Sequence, residues 1–290
     1  MLAAPAWHAA RDAHLARVEP WVRPHLERRQ RGVPHPVEDF LFTYYTHRPA
    51  ALQRWHPGHG VALEDADEYL AWKGYAATAS GPVTVAPAYL ATQRTLLVTL
   101  RRLLRATLDR APHFGCFGLH EWAMVYRLDQ DDVRHAAWPL RLGAAGTDDV
   151  VESHRIACSH FDAFRFFTEP ARPRNTLQPG RDDRADFEQP ACLHAGMDLY
   201  KHAFRLSPMI PSALVADCFE LARDIRELDM RASPYDLGGL GYEPVRIETS
   251  EGKQAYAEAQ RGFTERGRPL RERLLAEVER LLATGSNLAG

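Results

Sequence analysis

Lysine is scarce in this sequence. Lys73, Lys201 and Lys253 are the only three, so arginine supplies every other one of the 36 basic side chains. That skew suits bidentate pairing with carboxylates or phosphates, although a GC-rich genome produces it as well. Cysteine is sparse too. Cys116, Cys158, Cys192 and Cys218 are too few and too scattered over 290 residues for a disulfide framework, and reduced thiols are expected. Long apolar runs are missing: the most leucine-rich stretch, Leu96 to Leu108, is broken by Arg101, Arg102 and Arg105, which excludes a bilayer-spanning helix. The first residues, MLAAPAWHAARDAHLARVEPW, lack the apolar segment of a signal peptide, so the expected location is the cytoplasm. No repeat of fixed period is visible, which argues against a solenoid.

Apolar residues make up 45% of the chain and charged ones 26%, the balance of a water-soluble globular protein. The formal charge of −2 leaves no global attraction for nucleic acid, so any such grip must come from a local basic face.

The periodicity is helical. Ala9 to Glu27 reads as a helix interrupted at Pro20 and Pro24. Val37 to Thr46 lies between Pro36 and Pro49 and reads as one helix. Tyr89 to Arg110 places Leu97, Leu100, Leu104 and Leu108 on one face. Thr147, followed by Asp148 and Asp149, is an expected N-cap for a helix running to about Phe167. The Pro-, Arg- and Asp-rich stretch 169–189 suggests a long loop or lid. Pro190 and Pro211 each open a further helix, the second with a stripe of Leu214, Cys218, Leu221, Ile225 and Leu228. Glu251 to Glu265 and Pro269 to Ala283 suggest a helical hairpin around Gly267. Short strands fit Pro82 to Val85 and Val245 to Glu248. The expected fold is mostly α: a single compact helical domain over 1–290 with long loops and at most a few short strands, divisible into lobes 1–145 and 146–290.

Four constellations could carry chemistry. In His113-Phe-Gly-Cys116-Phe-Gly-Leu-His120-Glu121-Trp122, helical spacing would put His113, Cys116 and His120 on one face as nitrogen and sulfur ligands for zinc or iron. Gly115 and Gly118 argue for a turn instead. His154, Cys158 and Asp162 step by four on the helix after Thr147, an acid–base pair or a core histidine with its partner; His160 points the other way. His194, Asp198 and His202 step by four after Pro190, at the expected border of core and solvent. The acidic stripe Asp217, Glu220, Asp224 and Glu227 reads as a solvated face paired to Arg223 and Arg231. Arg101 and Arg105, on one stripe of the leucine-rich helix, could contact phosphates. Tyr45 and Trp122 are among the rings that could stack on an extruded base.

HPVEDFLFTYY (35–45), RWHPG (54–58), PHFGCFGLHEWAMVYR (112–127), WPLRLG (138–143), SHRIACSHFDAFRFF (153–167), EQPACLHAGMDLYK (188–201) and DCFELARDIRELDMRASPYDL (217–237) together resemble one bacterial family. Its members, frequent in actinobacteria, carry the name 3-methyladenine DNA glycosylase, and the similarity runs over nearly the whole chain. It implies a hydrolase of DNA repair that acts on damaged double-stranded DNA and releases alkylated purines without a cofactor. The expected catalytic groups are Glu121, Asp198, His154, His194 and Asp162. His120, Trp122, Arg101, Arg105 and Tyr45 are the expected binding groups. Two rival readings stand beside it. One is a metal-dependent helical enzyme for a small molecule, with iron or zinc on His120, His154, His160 and His194; the other is a protein that binds damaged DNA without cleaving it.

Overall fold

The computed structural model describes residues 1–133 and 135–287. Its regular structure among those residues is twelve α-helices, four short 3-10 helices and one two-stranded sheet, so the chain is mostly α. The helices are α1 (Ala4–Arg31), α2 (Phe40–Thr43), α3 (Pro49–Leu52), α4 (Pro87–Thr92), α5 (Arg94–Asp109), α6 (Leu119–Ala123), α7 (Gly143–Ser153), α8 (Phe161–Phe164), α9 (Arg184–Phe187), α10 (Leu193–Leu206), α11 (Ser212–Arg231) and α12 (Ser250–Asn287). Strands β1 (Tyr75–Ala77) and β2 (Val83–Val85) pair antiparallel, with Tyr75 opposite Val85.

The residues group into two compact units. The first comprises Met1–Arg105, Leu199–Glu220 and Leu270–Gly290. Its core includes Val18, Val22, Leu41 and Leu97, and an aromatic cluster in which Phe219 meets Trp21, Phe42 and Tyr200. The second comprises Ala106–Asp198 and Leu221–Pro269, and buries Trp122, Tyr126, Met197, Ile225 and Tyr256.

Several helices depart from expectation, each for a physical reason. α1 runs unbroken through Pro20 and Pro24. Its buried residues, His14, Val18, Val22 and His25, recur at helical spacing across both prolines, while Pro20 faces outward. Burial of that stripe outweighs the ~3 kcal/mol an interior proline costs. α12 likewise continues through Pro269, so the expected hairpin at Gly267 is one helix. Between Pro36 and Pro49 only α2 forms, after a run of turns at 36–39. The leucine-rich helix is split in two at Gln93. Val245 to Glu248 is not a strand, and the partner of β2 is β1.

α7 starts four residues before Thr147, whose hydroxyl donates back to the Gly143 carbonyl at 2.6 Å inside the helix instead of capping it. It ends at Ser153 because the next residues run extended beside Asn175. The Asn175 side chain accepts from the Cys158 N–H at 2.7 Å and donates to the Cys158 carbonyl at 2.9 Å, standing in for a neighbouring strand. The stretch 169–189 is held by this buried asparagine and by buried Glu188, and carries α9.

Candidate metal centre

The centre is built in the second unit from α6, α10 and α11. α6 is a single short turn because Phe117 (φ 47°) and Gly118 (φ 72°) both take left-handed backbone before it. Glycine is required at the second position: a Cβ there would meet Ala232 Cβ at 3.3 Å and Tyr256 Cε2 at 3.4 Å in an already strained conformation. The turn lays Cys116 beside His120, Sγ to Nδ1 at 3.6 Å. It is pinned by Trp122, whose indole N–H donates to the Ala232 carbonyl at 2.8 Å. On α10, Gly196 lets α11 approach, since a Cβ there would lie 2.7 Å from Ile225 Cδ1.

Four side chains converge: His120 and Glu121 from α6, His194 from α10 and Asp229 from α11. One ligand atom from each lies within 4.8 Å of every other. All four are buried, at 2%, 7%, 7% and 0% exposure respectively. His120 Nε2 is 2.9 Å from Asp229 Oδ1, and the His120 and His194 rings meet edge to face at 4.6 Å. Arg226, itself buried, donates through Nη1 to Glu121 Oε1 at 3.3 Å and to Asp229 Oδ2 at 3.1 Å.

The electrostatics split the two imidazoles. Burial works against a charge on His120, but Asp229, by its charge and its hydrogen bond, together with Cys116 lifts the pKa well above the ordinary 6.5. Burial and the neighbouring His120 charge push His194 down to about 3, so it stays neutral with a lone pair to offer. Asp229 is ionised: burial opposes this, and the His120 charge and hydrogen bond overcome it.

A second network adjoins the first. The His160 ring lies 5.3 Å from that of His194, and its Nε2 is 3.4 Å from both Glu188 Oε1 and Asp198 Oδ2. Arg184 pairs with Glu188 and, at 2.6 Å, with Asp198. The buried Nδ1 of His160 has no hydrogen-bond partner among the described residues.

The structure therefore brings together His120, Glu121 and His194, with His160 and Asp198 alongside. It does not bring in His154 and Asp162. These two and Cys158 share no helix, because α7 ends at Ser153. The His154 Nδ1 takes the Val150 carbonyl at 2.7 Å, and Asp162 pairs with Arg165. His113, Cys116 and His120 lie on a loop and a turn, not on one helical face, and His113 is exposed. His194, Asp198 and His202 are all buried and not at a solvent border. Trp122 is fully buried with its N–H spent, and Tyr45 is buried against the rings of Tyr44, His47 and Tyr200. Arg101 is exposed, and Arg105 is paired with Glu279. In the acidic stripe Arg231 pairs with Glu227 as expected, and Glu220 also takes Arg17.

Sequence reasoning missed Asp229 and Arg226. At 100° per residue Asp229 lies about 60° from the middle of the α11 apolar stripe, but so does Asp217 on the other side, so spacing alone does not single it out. Comparison with protein-family models, with curated proteins and with solved structures gives no match.

Proposed function

We propose that this protein is a metal-dependent enzyme whose second unit binds one divalent transition-metal ion on His120, Glu121, His194 and Asp229. The observation that carries the reading is the convergence of four buried ligand atoms within 4.8 Å of one another. Two ligands of one ion can be no farther apart than two bond lengths, about 4.2 Å for nitrogen and oxygen donors. Shifts of a few tenths of an ångström per side chain therefore close the set. Two imidazoles and two carboxylates suit zinc, iron(II) or manganese rather than a soft or purely oxygen-seeking ion.

The surrounding groups fit such a role. Before an ion enters, Asp229 holds the His120 ring in place, and the Cys116 thiol faces the other ring nitrogen as an outer partner. Arg226 offsets the two carboxylates and ties them to α11. An ion held here supplies Lewis-acid activation of a substrate oxygen or of water. Cys116 is half-buried, which gives the centre a side nearer to solvent, and the enclosed setting favours a small-molecule substrate. His160, against His194 and bonded into the Glu188–Asp198–Arg184 network, is positioned to relay a proton to or from the centre.

Binding must displace the proton held on His120, so affinity is expected to rise with pH through the neutral range. Elemental analysis of purified, tag-free protein tests the reading. About one equivalent of zinc, iron or manganese is expected, lost in Glu121→Gln and in His194→Ala. Protein that neither retains nor takes up any of the three discards it. Release of alkylated purine from duplex DNA by metal-free protein would instead select the base-excision reaction that the family resemblance implies, with Glu121 or Asp198 as the water-positioning carboxylate.

A further inference from the structure

The first unit carries a cleft of about 800 Å³ between the end of α1 and the segment from α2 to α3. That is the size range of small-molecule sites. Its charge is one-sided. Arg28, Arg29 and Arg48 line it, and Asp39 is the one carboxylate among its lining residues. Asp39 is fully engaged: Oδ1 accepts from Arg28 and lies 2.9 Å from His25 Nδ1, and Oδ2 accepts the His35 N–H at 2.8 Å. Arg28 is spent on Asp39 and Glu38. Arg29 and Arg48 are different. Both residues are exposed, and among the described residues neither guanidinium makes an ion pair or hydrogen bond.

Two further features mark the cleft as built. Thr46, on its wall, holds φ 55°, a left-handed conformation that a β-branched residue adopts only against strain. That strained residue fixes the short turn carrying His47 and Arg48 into α3. Leu26, Val33, Pro34, Phe42 and Pro49 give the wall an apolar part, beside the polar Thr43, His47 and Gln53, and Val33 is 58% exposed. The cleft thus presents two unspent planar cations beside a patch that gains by being covered.

We propose that this cleft binds a phosphate ester of nucleotide size. Arg29 and Arg48 take the phosphate oxygens through their paired N–H groups, and the organic body covers Val33 and its apolar neighbours. A monocarboxylate would leave one of the two forks unfilled, whereas a diphosphate has oxygens for both. The site is independent of the metal centre, and neither proposal needs the other.

Calorimetric titration of the intact protein with ADP and with inorganic pyrophosphate, at low ionic strength, tests it. The wild type is expected to bind both saturably, ADP the more tightly because pyrophosphate leaves the apolar wall uncovered. In the double variant Arg29→Ala/Arg48→Ala, ADP affinity should fall at least about tenfold. Its thermal unfolding midpoint and metal content should match the wild type, since both side chains are exposed and unpaired. No saturable binding of either compound to the wild type, or unchanged ADP affinity in the double variant, would overturn the proposal. Pyrophosphate binding as tight as ADP would overturn the role given to the apolar wall.

Discussion

Two acids of α11, Asp224 and Asp229, each pair with an arginine, and the two pairs differ in everything that matters. Asp224 meets Arg266 at 2.6 Å and Asp229 meets Arg226 at 3.1 Å, so the shorter contact is the outer one. The outer pair stands in water, its side chains 42% and 50% exposed, whereas the inner pair is 0% and 2% exposed. In water the attraction is screened and the two long side chains lose freedom to make it, leaving 0–1 kcal/mol or so. Inside, each charge has given up its hydration, and removing one partner strands the other at a cost of roughly 3–5 kcal/mol. Distance does not rank these contacts; burial does. A chain that keeps Glu121, Arg226, Asp229 and a protonated His120 together in its interior accepts a desolvation penalty that an apolar core would avoid. That penalty is the physical reason for assigning the cluster a function.

The contrast can be broken at its strongest point first. Asp229→Ala should lose about 3–5 kcal/mol in urea unfolding, because His120 loses its buried anion and Arg226 is left with Glu121 alone. A loss under about 1 kcal/mol would show that the interior pair behaves like the surface one.

The pH dependence of the metal-free protein comes next. His194 has its pKa depressed to about 3, so the folded chain refuses a proton that the unfolded chain accepts once pH falls below 6.5. Its contribution to stability is complete above 6.5 and drains away toward pH 3, by up to about 1.4 kcal/mol per pH unit. His120 has the opposite sign. Its pKa is raised, so its contribution is complete below 6.5 and is lost only as pH climbs through the raised folded value. Unfolding free energies between about pH 7 and about pH 4 should therefore fall with acid, and His194→Gln should flatten that slope by one proton. An unchanged slope in the variant would remove His194 from the account.

Cys116→Ala should weaken metal binding by about tenfold, through loss of the partner on His120 Nδ1. The smallest effect belongs to the outer pair: Asp224→Ala should cost no more than about 1 kcal/mol and leave metal content untouched.

What could be read in the sequence follows the same division between local and tertiary causes. The helical character, the start of α11 after Pro211 and the strand at Val83–Val85 follow from local pattern, and they stand. Helix ends did not follow. α1 and α12 pass through prolines because a buried stripe on each side outweighs the local penalty, and no window of sequence displays that gain. The break after Ser153 depends on Asn175, more than twenty positions later, whose amide replaces a strand neighbour. With that break went the expected face of His154, Cys158 and Asp162. Within the site, His120, Glu121 and His194 were visible as ligand-type residues in the segments 113–122 and 194–202. Asp229 was hidden among the ordinary acids of α11, since its partner is 109 residues away.

Anomalous diffraction from crystals grown with zinc or iron, recorded at the metal's absorption edge, tests the central claim most directly. The account predicts a single strong peak in the second unit, with atoms of His120, Glu121, His194 and Asp229 about 2.0–2.3 Å from it. A map without a peak there, with Arg226 still bridging Glu121 and Asp229 and His120 still bonded to Asp229, would contradict it and leave the cluster a buried ion network.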